Sequence, residues 1–434
     1  MTTPRRLALA VAAVLLCAGP LTGCTGPPEA VTVTVLASWE TEEGSAFRAA
    51  LDAFTERTGV RVVYEGTRDV SHVLRSRLDR GSPPDLAVLP RLNDLRAHVR
   101  DGALRPLDGV PDLVNVAGHE PHLIRIDDRV YGVSIAAHVK SLLWYAPGQG
   151  LERDPPRTWR ALVDRTAALR RAGAVPWCLG MSSPPLSGWP GTDWIEDLVL
   201  HRAGAAAYTR WVAGELPWTR GPVRDAWVAW GEVVRAGPPP AAALLTGYDD
   251  AGRAMFDQPP GCLLDHQGSF NARTYRAAAA ARGLDPQRSV GFHPFPADAP
   301  DSGTLIAEDV LGMFRDTAAA RRLVTFLTSE RQPGQRVWHE ASGGTHLTLG
   351  RGARLHPDAD GHLGRVERML RTGTLCRDAS DLMPPAMTEA FQRATMRYLH
   401  QPERLDALLA GLEAVRRQIP AGEWLALPCV DTTS

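Results

Sequence analysis

Lysine is almost missing from this chain. Lys140 is the only one among 48 basic residues, and all the others are arginine, the habit of a GC-rich genome such as an actinomycete's. That scarcity excludes a phosphate-binding loop, which needs Gly-Lys-Ser or Gly-Lys-Thr, because the one lysine follows Val139 and precedes Ser141 with no glycine beside it. Other enzyme signatures are missing too. Gly148-Gln149-Gly150 is followed by Arg153 where a dinucleotide loop carries its third glycine, and Gly180-Met181-Ser182-Ser183-Pro184 lacks the closing glycine of a nucleophile elbow. No His-Glu-x-x-His occurs, and His119-Glu120-Pro121-His122 is interrupted by a helix-breaking proline. No catalytic residue, metal or cofactor is therefore expected. Basic excess is also absent: 48 basic residues face 49 acidic ones, so the chain lacks the basic stripe of a nucleic-acid binder.

Long apolar runs are confined to the N-terminus. Arg5 and Arg6 precede an apolar stretch, Leu7 to Leu16, that is too short for a membrane span of roughly 20 residues. It ends at Leu21-Thr22-Gly23-Cys24, which resembles the bacterial lipobox. The resemblance implies a signal peptide over 1–23, a lipid on Cys24 and a polar tether over 24–30. The protein would then be held on the extracellular face of the cell membrane. Cys17 falls within the signal, leaving Cys178, Cys262, Cys376 and Cys429, an even number suited to an oxidising compartment. Their spacing is not that of a zinc site. Three disulfide pairings are open, of which Cys178 with Cys262 and Cys376 with Cys429 is favoured.

The mature chain is long enough for two compact units. Val31 to Leu36 alternates with period two and predicts a strand. Phe47, Ala50, Leu51 and Phe54 predict a helix face, with Thr41 as its N-cap, Glu42 and Glu43 in its first turn and Gly59 at its end. Val60–Tyr64, the Val70–Leu78 periodicity and Leu86–Leu89 continue a β-α-β-α-β pattern, the opening of a doubly wound α/β lobe. Ligands sit beyond the carboxyl ends of such strands, and here those ends carry Trp39, Glu40, Thr67, Arg68 and Arg91.

The middle of the chain is rich in tryptophan. Most of these rings belong in a core, but Trp189 and Trp194 lie in a turn-rich stretch, Ser187-Gly188-Trp189-Pro190-Gly191-Thr192-Asp193-Trp194, which opens a helix. An aromatic ring beside carboxylates suits a sugar: the C–H face of a pyranose stacks on the ring and the acids take its hydroxyls.

Several segments together carry a wider resemblance. They are Tyr64-Glu65-Gly66-Thr67-Arg68, Ser82-Pro83-Pro84-Asp85-Leu86-Ala87, Tyr131-Gly132-Val133, Val139-Lys140-Ser141-Leu142-Leu143-Trp144-Tyr145, Trp189 to Asp197, His266-Gln267-Gly268-Ser269-Phe270 and Asp378 to Pro384. The chain resembles the maltose-binding family of extracellular solute-binding proteins, in the branch of the alpha-glucoside importers. The resemblance implies an α/β fold of the type II periplasmic-binding kind, with two doubly wound lobes, a crossover hinge and a ligand cleft between them. Lobe one would comprise 31–137 plus 303–335 and lobe two 138–302 plus 336–434, so that both disulfides fall in lobe two. The implied ligand residues are Trp39, Glu42, Glu43, Arg68, Lys140, Trp189, Asp193, Trp194, Gln267, Trp338 and Gly344. The implied partners are a sugar, the membrane through the lipid, and two ABC permease subunits served by a separate cytoplasmic ATPase; the receptor itself would be a monomer. The family's usual Phe-Trp pair stands here as Phe391-Gln392, so a stacking platform is missing or has shifted to Phe391.

Two other readings compete. A secreted, lipid-anchored glycoside hydrolase would also pair tryptophan with carboxylates, using Asp193, Glu196 or Asp197 as acid and base. Glu196 and Asp197 near a helix start are also stabilised by the helix dipole without any catalysis. The third reading is a lipoprotein that senses a ligand for a signalling partner.

Overall fold

The computed structural model describes residues 31–111, 113, 122–148, 150–185, 187–329, 333–349, 361–425, 427 and 429–432. The expected signal, Cys24 and the tether lie outside these described residues, as do His119 and Glu120 of the His-Glu-Pro-His stretch.

The opening pattern folds as its periodicity requires. Strand β1 (Thr32–Ala37) is followed by helix α1 (Thr41–Thr58), β2 (Arg61–Gly66), α2 (Val70–Asp79), β3 (Leu86–Leu89) and α3 (Leu92–Arg100). Strand β1 pairs in parallel with both β2 and β3. Helix α1 buries Phe47, Ala50, Leu51 and Phe54 and ends at Gly59, whose φ of 69° lets its N–H reach the Thr55 carbonyl at 2.8 Å. Its start corrects the expected cap. The N-cap is Glu40, and Thr41 is the first helical residue, with a φ of 46°. The Glu40 carboxylate accepts the Arg68 amide at 3.1 Å rather than a helix N–H.

After β4 (Leu123–Ile126) and β5 (Arg129–Val139) the chain enters a second body. Its sheet holds β6 (Leu142–Tyr145), β7 (Trp177–Cys178), β8 (Leu264–His266) and β9 (Gly291–Pro294), in the order β7-β8-β6-β9. Helices α4 (Trp159–Arg171) and α5 (Trp189–Val212) belong to this body. The return strand β10 (Thr304–Met313) runs antiparallel to β5 from Ile306 to Gly312. On its other flank β10 changes partner: Thr304–Ile306 pairs with β11 (Thr374–Arg377) and Val310–Met313 with β3. The β5 register slips between Asp309 and Val310, between the two partners. Strands β5 and β10 thus form a two-stranded crossover, and β12 (Val430–Asp431) closes the larger sheet beside β11.

One expected boundary moves. The Gly334–Ala341 helix packs on α1, with the Trp338 ring 4.7 Å from Phe47 and 4.8 Å from Trp39. Burying that indole against lobe one's core takes residues 336–341 out of lobe two. Both favoured disulfides are present, Cys178–Cys262 and Cys376–Cys429. The first joins β7 to the residue pair before its neighbour β8, and the second joins β11 to the start of β12. Each staples adjacent strands, and neither spans the crossover.

Candidate functional site

Lobe one supplies an aromatic wall at the carboxyl end of β1. Trp39 is held there by the Tyr64 hydroxyl, which donates to its carbonyl at 2.5 Å, and its ring meets Trp338 edge-on. Glu43, in the first turn of α1, pairs with Arg68 at 3.4 Å. These groups face His138, Phe270 and Arg273 across a cavity of about 40 Å³, whose rim is completed by Ser342, Thr345 and His346. Gly343 and Gly344 shape that rim with φ values of 64° and 83°, a left-handed pair that L side chains rarely adopt. The His346 imidazole stacks on Trp338 at 3.6 Å, and its burial, then His138 and His339, hold it well below the ordinary histidine range.

Lobe two supplies a charged cluster around Lys140, the residue that directly follows β5. Its ammonium donates to Asp193 at 2.8 Å, lies 3.3 Å from Asp378 and stands 4.6 Å from the centre of the Trp189 ring. Burial alone would lower the lysine; Asp193 and Asp378 outweigh it and hold Lys140 well above its usual range. Burial pushes the Asp193 carboxyl up to about 7, against the pull of Lys140. Asp378 stays below the usual carboxylate range because Lys140 and the Glu196 and Ser380 hydrogen bonds outweigh its burial. Carboxylate oxygens of Asp193, Glu196 and Asp378 lie within 4.8 Å of one another, a spacing that could hold a metal, but the cation beside Asp193 and Asp378 is the Lys140 ammonium. Asp193 Oδ1 is buried and has no hydrogen-bond partner among the described residues.

The neighbouring acids are engaged by backbone amides, Ser141 and histidines. Glu196 accepts the Ala379 amide at 2.8 Å and the Ser380 amide at 3.2 Å, tying α5 to the Asp378 loop. Asp197 accepts from Ser141 at 2.5 Å and contacts His266 at 2.7 Å. Burial would raise Asp197, but the hydrogen bonds from His201 and His266 hold it far below the carboxylate range.

The sequence-predicted residues therefore separate. Trp39, Glu43 and Trp338 line one cavity with Gly344 at its rim, and Arg68 is paired to Glu43 beside it. Trp189, Asp193 and Lys140 form the second group. Trp194 lies in the core. It is 1% exposed, with its ring against Trp177 at 4.9 Å and His266 at 4.3 Å. Gln267 is 3% exposed; its carbonyl accepts the Trp144 indole N–H at 2.8 Å, and its Oε1 has no partner among the described residues. Phe391 is also core, enclosed by Trp211, Trp218 and Trp227, so no stacking platform has shifted there. Glu42 lies in α1, and its side chain is outside the description. Sequence reasoning missed His138, on the crossover, and Tyr248, whose ring meets Trp189 at 4.7 Å. Phe270, at the end of His266-Gln267-Gly268-Ser269-Phe270, lies 5.8 Å from Trp189; the polar turn around Gly247-Tyr248-Asp249 is the local signal for Tyr248.

Comparison with known proteins identifies relatives and a shared architecture. Residues 37–332 match the family model described as bacterial extracellular solute-binding protein. The chain is 33% identical over 401 residues to the osmoprotective compounds-binding protein GgtB of Synechocystis, covering 88% of this chain and 91% of that one. It is 28% identical over 372 residues to the alpha-glucosides-binding periplasmic protein AglE of Rhizobium meliloti, covering 81% and 80%. Among solved structures, the bacterial solute receptor AcbH, described as preferring β-D-galactopyranose, aligns with a TM-score of 0.76 at 18% identity, covering 90% of this chain and 99% of that one. A chitin oligosaccharide binding protein aligns with a TM-score of 0.74 at 17% identity, covering 90% and 98%. At such identities the structural likeness speaks for the fold, the type II periplasmic-binding architecture.

Proposed function

The chain belongs to the bacterial extracellular solute-binding proteins, and from that membership we propose that it captures a sugar, an alpha-glucoside or short oligosaccharide, and delivers it to the permease of an ABC importer. The observation that carries this reading is the meeting of two aromatic groups across a crossover. Trp39 and Trp338 stand on one side, Trp189, Tyr248 and Phe270 on the other, with Glu43 and Asp193 beside them. Rings for C–H faces and carboxylates for hydroxyls are what a polyol ring needs. Asp193 Oδ1 offers an acceptor already stripped of other partners. The curated relatives' names, which speak of alpha-glucosides and osmoprotective compounds, support the same class.

The present cavity, about 40 Å³, is far below the roughly 300 Å³ at which ligand pockets begin. A sugar enters only if the lobes part about the β5–β10 crossover and close again, the hinge motion of such receptors. The lipid on Cys24 would keep the receptor beside its permease, and Cys24→Ala should release it from the membrane fraction. The glycosidase reading is weakened because Glu196 and Asp197 are engaged by backbone amides, Ser141 and histidines. Thermal-shift and calorimetric screens over monosaccharides, alpha-glucosides, oligosaccharides and osmoprotective solutes test the proposal. Saturable binding without turnover is expected. No stabilisation by any of them overturns it, and hydrolysis lost in Asp193→Ala would install the enzyme instead.

A further inference from the structure

We propose that Lys140 is a positioning residue for the ligand site: it holds the Trp189 indole from inside lobe two and does not itself touch the ligand. The inference rests on the ligand role given to Trp189 above. The ammonium has three protons and no acceptor. Its neighbours account for all of them: Asp193 Oδ2 at 2.8 Å, Asp378 Oδ2 at 3.3 Å and the π-face of Trp189, 4.6 Å from Nζ. With its donors turned to these three partners, the ammonium has no proton left to offer a sugar hydroxyl. Trp189 and Asp193 stand at i and i+4 on α5, so they share a face, and one cation bridges both. The backbone beneath the ring is fixed independently. Gly188 has a φ of 101°, and a Cβ there would lie 2.5 Å from the Gln392 carbonyl, so the Pro385–His400 helix sits directly against it. The remaining freedom of Trp189 is the swing of its ring, and the ring meets Lys140 on its face and Tyr248 and Phe270 in T-shaped contacts. Lys140 is also anchored to the crossover, its amide donating to the Leu305 carbonyl at 2.7 Å. A planar guanidinium with five donors does not fit this tetrahedral arrangement, which accounts for a lysine here in a chain that otherwise uses arginine.

Protein grown with 5-fluorotryptophan gives a ligand-free test by fluorine NMR. The resonance absent from Trp189→Leu belongs to Trp189. Lys140→Met and Lys140→Arg should both move it; a lysine that only balanced charge would leave it in place in Lys140→Arg, and that result overturns the proposal. By calorimetry Lys140→Met should weaken sugar binding roughly 10- to 30-fold, the scale of a desolvated cation–π contact. In a Trp189→Leu background the same change should cost less than about twofold, because coupled residues are not additive. Additive losses would mean that Lys140 acts on the sugar other than through Trp189, by direct contact or through Asp193, and would also overturn it. If Lys140→Met does not fold, Asp193→Asn, which loosens the lysine but keeps it, should shift the same resonance. If the wild type binds no sugar, the ligand reading fails while the fluorine spectra still decide the placement of the ring.

Discussion

Trp189 and Trp194 stand on the same helix, within two turns of each other, and their surroundings differ. Trp189 keeps part of its surface and meets Lys140, Tyr248 and Phe270; Trp194 is enclosed by Trp177, His266 and Phe295. Trp189→Ala should therefore cost about 1–3 kcal/mol of sugar binding by calorimetry, with little change in the urea midpoint. Trp194→Ala should instead cost about 3–5 kcal/mol of stability, as large core truncations do. The reverse pattern would exchange their roles. Sequence spacing marks both rings alike, because the shell around Trp194 comes from β7, β8 and the Phe295 loop, distant in the chain. A second residue-scale effect concerns Asp265, which is buried and accepts the Tyr275 hydroxyl at 2.9 Å. Burial pushes its carboxyl up to about 7, from an unfolded value of about 3.9. Over the pH range between those values the folded state holds a proton that the unfolded state has released. Its contribution is thus most favourable at about pH 4 and falls as pH rises toward 7, by on the order of 1 kcal/mol per pH unit. Asp265→Asn should flatten that fall in urea titrations across the window; an unchanged slope would place the proton elsewhere.

At the scale of elements, the first lobe was legible and the crossover was not. Alternation in Val31–Leu36, the i, i+3, i+4, i+7 face of α1 and the glycine at its end are local signals, and the structure follows each of them. The pairing of β5 with β10 joins residues such as Val139 and Ile306, and no local pattern reports it. Neither does the switch of β10 from β11 to β3, which depends on three distant strands. The same limit explains the boundary at 335/336: the Gly334–Ala341 helix is placed by what Trp338 can be buried against. The disulfides act at this scale. Cys178 and Cys262 close a loop with a sequence separation of 84, so a Cys178→Ala, Cys262→Ala double variant should lose roughly 4–5 kcal/mol by the loop-entropy relation. Because the bond staples β7 to the approach of β8, ligand-driven compaction should survive its removal; loss of compaction would tie this staple to the hinge.

For the whole molecule, the β5–β10 crossover is the place about which the proposed parting of the lobes would occur. Two bodies are joined by β5 and β10, and Trp39, Trp338 and Phe270 stand around a cavity of about 40 Å³ between them. Small-angle scattering should show a larger radius of gyration without ligand and compaction when a bound sugar is added. An unchanged radius with a sugar that calorimetry shows to bind would remove the hinge from the account. The pairing of Cys178, Cys262, Cys376 and Cys429 has a practical result as well. With all four sulfurs bonded, no free thiol remains among the described residues. Leu245 is 85% exposed and lies just before Tyr248 of the aromatic cluster. Leu245→Cys would offer a dye an exposed thiol just before Tyr248 in the chain, turning the protein into an optical reporter for whatever solute it binds.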